Sequence, residues 1–186
     1  MKTTYILHGG SAQHVNSEND PFFKEILKKT SNNPRILLVH FASPPERLES
    51  NKERDTSQFL RNKGNKKLIF IEAVEVKFIE QIAQSDVIYL GGGTTGQLIS
   101  ALSTYRDFAD SCKGKIVAGE SAGANVQASY CYSKSGGGII KGLGMVPVFM
   151  YPHYEKGGEK EIDLTQIPDS LERLFLANYE FRVFEI

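Results

Sequence analysis

Cysteine is scarce in this chain of 186 residues: Cys112 and Cys131 are the only two. A pair at that separation offers neither a disulfide framework nor the short ligand spacings of a zinc site, and it fits reduced thiols in a cytoplasmic protein. Net charge is lacking as well, because 22 Lys and Arg balance 22 Asp and Glu. That balance gives no reason to expect a nucleic-acid partner or an anionic membrane surface. The one basic run, Arg61 to Lys67, stands between a polar helical stretch and a strand candidate and reads as a solvated loop. Long apolar stretches are missing too, which argues against a membrane span. The opening segment Met1 to His8 holds only a brief apolar run before His-Gly-Gly, a first strand rather than a signal peptide. Repeats, linkers and low-complexity tails are absent, so residues 1–186 are expected to form a single α/β hydrolytic domain.

What the chain does contain is an alternation of short apolar runs with longer amphipathic stretches. This is the pattern of a doubly wound, mainly parallel sheet flanked by helices. Strands are expected at Thr4 to Leu7, Arg35 to His40, Lys67 to Glu72, Asp86 to Leu90 and Lys115 to Ala118. Helices are expected at Pro21 to Lys29 behind an Asp20 cap, at Pro45 to Asn62, at Phe78 to Ala83, at Thr95 to Cys112 with a break near Ser103 to Arg106, and at Ala122 to Ser129. Beyond Ser129 the glycine-rich segment Ser133 to Gly138 cannot be helical. It points to a hairpin or excursion, with Tyr130 to Tyr132 as a strand, before a further strand at Val146 to Tyr151. The end, Tyr179 to Ile186, alternates weakly like a strand.

The sequence Gly119-Glu120-Ser121-Ala122-Gly123 follows the strand Ile116-Val117-Ala118 and precedes a helix-compatible segment. This is the setting that a Gly-x-Ser-x-Gly nucleophile elbow requires. A serine on so sharp a turn needs small neighbours, and Gly119, Ala122, Gly123 and Ala124 meet that demand. The turn aims a helix N-terminus at the hydroxyl and offers the N–H of Ala122 to a developing oxyanion. A second loop, Gly91-Gly92-Gly93-Thr94-Thr95, leaves the strand Asp86 to Leu90, so two special turns converge on the carboxyl edge where α/β sheets bind ligands. Gly92 and Gly93 are the candidates to complete the oxyanion hole; the alternatives are an ordinary βα turn and a phosphate loop whose spacing fits neither known glycine fingerprint.

A serine nucleophile needs a base, and the histidines are His8, His14, His40 and His153. His153 emerges at the end of Val148-Phe149-Met150-Tyr151-Pro152 and is the expected base. His8 and His40 also end strands, as structural residues or as part of the site wall, and His14 falls in a loop. No Asp or Glu lies between Ser121 and His153, so a third, acidic member must precede the serine, follow the histidine or be missing. Glu155 ranks first, with Glu120, Glu159, Glu161, Asp163 and Glu180 as further options.

Taken in order, the glycine loop with Gln97 and Leu98, the Ser121-Ala122-Gly123-Ala124-Asn125 run and Pro152-His153 resemble the peptidase E family of serine peptidases. The resemblance implies a fold related to class I glutamine amidotransferases and cleavage of dipeptides or short peptides after an N-terminal aspartate, with Ser121 as nucleophile and His153 as base. The best-known members carry a triad aspartate near the place of Lys134 and Ser135 here. An aspartyl substrate calls for a cationic pocket, for which Arg173 is the candidate, although it lies in a helix-like polar run where a surface ion pair is the simpler role. The expected partner is a small peptide, bound by a monomer or homodimer with no metal or organic cofactor. The alternatives are a hydrolase of another amide or ester, including cyanophycin-type peptides, and a non-catalytic binding descendant. A glutamine amidotransferase would need cysteine at the elbow.

Overall fold

The computed structural model describes residues 2–12 and 15–186, the side chain of Glu161 apart. His14, expected in a loop, lies outside the described residues, as does the Glu161 carboxylate. A six-stranded sheet runs in the order β10-β1-β5-β4-β2-β3. It is built from β1 (Thr4–His8), β2 (Arg35–Val39), β3 (Ile69–Glu72), β4 (Val87–Leu90), β5 (Ile116–Glu120) and β10 (Phe181–Glu185). Five strands are parallel, and β10 pairs antiparallel with β1, Leu7 opposite Arg182. The central strands β1, β4 and β5 are buried along their whole length, as continuous apolar runs between two layers must be.

Helices cover both faces. On one side α1 (Asp20–Lys28) buries Phe22, Phe23, Ile26 and Leu27 at helical spacing, and α2 (Leu48–Asn62) adds Phe59 against Ile6, Leu38, Tyr89 and Ala118. Asp20 is the first residue of α1 rather than its cap; its carboxylate instead binds Arg61 and Asn62 at 2.8 and 3.0 Å and ties α1 to α2. On the other side lie α3 (Phe78–Ala83), α4 (Thr95–Ser103), α5 (Phe108–Ser111) and α6 (Ala122–Gln127). The expected break between α4 and α5 is present, and α6 stops two residues early because Ala128 turns to extended backbone.

The excursion after the elbow is a second sheet, ordered β7-β6-β8-β9, made of β6 (Ala128–Ser133), β7 (Gly138–Lys141), β8 (Val146–Tyr151) and β9 (Glu172–Phe175). Its apolar face joins the core of the first sheet: Val146, Val148, Met150 and Leu174 pack in one cluster with Leu7, Val117 and Ala124. The expected helix-like run around Arg173 is the strand β9, because parallel pairing with β8, Met150 opposite Leu174, overrides its polar local character. Among the described residues no helix is long and apolar enough to cross a membrane.

Candidate active site

Strand β5 runs into the turn of the candidate elbow at Ser121. Ser121 takes φ 48° and ψ −103°, a conformation few non-glycine residues adopt, and it is held from both sides. Its N–H donates to His8 O at 3.0 Å, and its carbonyl accepts from Asn125 N at 2.9 Å. The small neighbours are a spatial necessity: a Cβ on Gly123 would stand 1.9 Å from Leu90 O of the adjacent strand.

Strand β8 delivers His153, the candidate base. His153, two residues beyond the strand, also has a positive φ of 52°, and its Nε2 lies 2.8 Å from Ser121 Oγ. Its main-chain N–H donates to Gly9 O at 2.7 Å, and its ring rests on Gly10, where a Cβ would stand 2.1 Å from Cε1. Gly10 has φ 123°, so this platform is open to glycine on two counts, backbone and space. All four non-glycine residues with positive φ among the described residues, Ser11, Ser121, His153 and Tyr179, stand at or beside the site, which is where backbone strain collects in functional centres.

The partner of His153 Nδ1 is Asn178 Oδ1, at 2.7 Å. Glu155 lines the same cleft, but it is Asn178, from the loop between β9 and β10, that occupies the orienting position. An amide oxygen accepts the Nδ1 hydrogen and so leaves the Nε2 lone pair for the serine hydroxyl, the tautomer a general base requires. It carries no charge, which a search confined to Asp and Glu passes over. The signal available in the sequence was position alone: a side chain with an acceptor, in a turn just ahead of the last strand.

Around Ser121 and His153 opens a cleft of about 790 Å³, lined also by Gly93, Asn125, Tyr132, Lys134, Tyr151, Glu155 and Lys156. Asn125 is buried, with Nδ2 on Thr95 Oγ1 and Tyr132 O and with Oδ1 lacking a hydrogen-bond partner among the described residues. Gly93 reaches the cleft, Gly92 lies against the Glu120 carboxylate, and Ala122 opens α6. No backbone acceptor engages the N–H of Gly92, Gly93 or Ala122 among the described residues. Arg173 is outside the lining, 3.4 Å from Asp169.

Of the other strand-end histidines, His8 is buried against Phe22, with Nδ1 accepting from Gly10 N at 3.1 Å. Burial first, and the nearby His153 second, push its pKa down to about 4. His40 is also buried and donates Nε2–H to Asp55 at 2.8 Å. Burial raises both cysteine thiols to about 12, so neither is a competing nucleophile.

Two solved structures share this fold. One is a candidate peptidase E protein from Listeria monocytogenes EGD-e, with a TM-score of 0.62, 18% identity and 100% of each chain covered. The other is a peptidase from an acI-B1 Actinobacterium, with a TM-score of 0.64, 21% identity, and coverage of 91% of this chain and 73% of that one. No curated protein matches the chain. Residues 5–172 match the family model of peptidase family S51, and the chain belongs to that family of serine-type peptidases.

Proposed function

We propose that this protein hydrolyses dipeptides or short peptides through an acyl-enzyme on Ser121. The observation that carries the reading is the 2.8 Å contact between Ser121 Oγ and His153 Nε2 on a strained elbow that opens into a peptide-sized cleft. His153 takes the hydroxyl proton as Oγ attacks the peptide carbonyl, and it returns that proton to the departing amine. Ala122 with Gly92 and Gly93 offers N–H groups to the tetrahedral oxyanion. Water then adds to the ester, with His153 again as base, and releases Ser121. Asn178 fixes the imidazole, the part assigned to Glu155 from the sequence.

An N-terminal aspartyl side chain is the preferred acidic group, and the supporting observation is that Lys134 and Lys156 line the cleft while Arg173 does not. The reading takes residues 1–186 as one cytoplasmic domain, monomeric or homodimeric, working without metal or organic cofactor. A fluorophosphonate is expected to add to Ser121 in wild type, as read by mass spectrometry, and not in Ser121→Ala. Asp-X dipeptides are expected to outrun neutral dipeptides and simple esters, and Lys156→Gln is expected to raise KM about tenfold for the Asp-X substrates alone. An enzyme that labels but prefers esters would move the function to another serine hydrolase; one that never labels in folded form would make it a binding protein.

A further inference from the structure

Among the described residues two carboxylates are buried, Asp55 and Glu120, and only one of them has a cation in ion-pairing contact. Arg54 binds Asp55 through Nε and Nη2 at 2.7 and 2.6 Å, and the His40 imidazole donates to the other Asp55 oxygen. Glu120, 5% exposed, has no basic side chain within ion-pair distance among the described residues. A buried carboxylate without a cation in contact is costly, and groups held at such a cost collect at functional sites.

The surroundings of Glu120 point at the base. Oε2 accepts the Ala12 N–H at 3.2 Å, and Oε1 lies against Gly92, where a Cβ would stand 2.0 Å away. The loop that carries Ala12 also carries Gly10, on which the His153 ring rests, and Gly9, whose carbonyl holds the His153 N–H. Along that loop the carboxylate and the imidazole contact points are two residues apart, about 7 Å at full extension. Burial raises the pKa of the Glu120 carboxyl most, Arg54 lowers it and Asp55 raises it again, and the Ala12 N–H and the nearby His153 lower it. Arg54 and Asp55 offset one another, His8 is held neutral by burial at neutral pH, Tyr89 stays a phenol, and His40 is engaged by Asp55. Asn178, the direct partner of His153, is neutral.

We infer that Glu120 supplies, across the Gly9–Ala12 loop, the negative charge that stabilises the imidazolium of His153 and that a triad acid would otherwise provide. It is a positioning residue: it acts through His153 and touches no reacting atom. The charge on His153 exists only while the serine proton is in transit, so a fixed carboxylate in a dry setting favours the transition state over the resting enzyme. This inference rests on Ser121 and His153 being the nucleophile and base.

The test is the titration of the His153 ring, followed by NMR in folded protein. Glu120→Gln keeps the shape and the acceptor for Ala12 but removes the charge. It is expected to lower the His153 pKa by about one unit and kcat/KM at neutral pH about tenfold, with the acid limb of the profile moving down by the same unit. Glu120→Asp, which keeps the charge, is expected to restore most of both. The reciprocal measurement leaves Glu120 untouched: in His153→Gln its carboxyl, read by ¹³C NMR, is expected to titrate at higher pH than in wild type. An unchanged His153 titration in Glu120→Gln, or an unchanged Glu120 titration in His153→Gln, overturns the inference. Failure of wild type to label at Ser121 would overturn the nucleophile instead, by a measurement independent of this coupling.

Discussion

At the scale of single residues, the side chain bonded to the His153 ring is an amide where acid was expected. Asn178 makes one hydrogen bond to His153 from an exposed loop, so its loss should alter chemistry and spare the fold. Asn178→Ala is expected to lower kcat about a hundredfold with little change in the melting temperature, and Asn178→Asp to retain activity with its acid limb moved upward, since a carboxylate at Nδ1 favours the imidazolium. Steady-state kinetics against pH decide both. His8 carries a stability prediction. Its pKa in the folded protein is about 4 against an ordinary 6.5, so between those values the unfolded chain binds the extra proton. Stability from this group is therefore fully present above pH 6.5, is lost as the pH falls and levels off below about 4. From about pH 7.5 to about pH 5 the difference in unfolding free energy between wild type and His8→Asn should shrink by about 2 kcal/mol in urea titrations.

At the scale of elements, the sequence marks its apolar strands well and the edges of its second sheet poorly. Strands β1, β2, β4, β5 and β8 are short, continuous apolar runs, and burial on both faces leaves that mark in any sequence. Strand β9 is Glu-Arg-Leu-Phe, with its first two residues exposed, and exists because β8 is there to pair with it; nothing local announces it. Asn178 was hidden for the same reason, since the loop that presents it depends on β9 and β10 taking their places. The elbow and His153 were legible because each follows directly from a strand that was itself legible. The loop after β1 is the joint between these elements, with Gly9 and Gly10 binding His153, Tyr179 and Glu180 through main-chain hydrogen bonds and contact. Gly10→Ala is expected to push the imidazole off its platform and cost about two orders of magnitude in kcat/KM, with a smaller loss of fluorophosphonate labelling than Ser121→Ala.

At the scale of the whole molecule, the proposed nucleophile and the proposed base come from different sheets. Ser121 leaves β5 in the centre of the first sheet, and His153 leaves β8 in the second. They meet because α6 and the shared cluster of Val117, Ala124, Val126, Val148 and Met150 set the two sheets at a fixed spacing. Enlarging or emptying that seam should act on the site from a distance: Val148→Ala is expected to cost about 1 to 3 kcal/mol of stability. It should also slow acylation more than a cavity of equal size between α1 and the outer face of the first sheet.

The split origin of the pair has a practical meaning for anyone who handles the protein. A reagent that reacts with Ser121 only when His153 is in reach reports how firmly one half of the molecule is seated on the other. During gentle denaturation, labelling should fade while the circular dichroism of both halves persists, so the serine serves as a gauge of seating rather than of secondary structure.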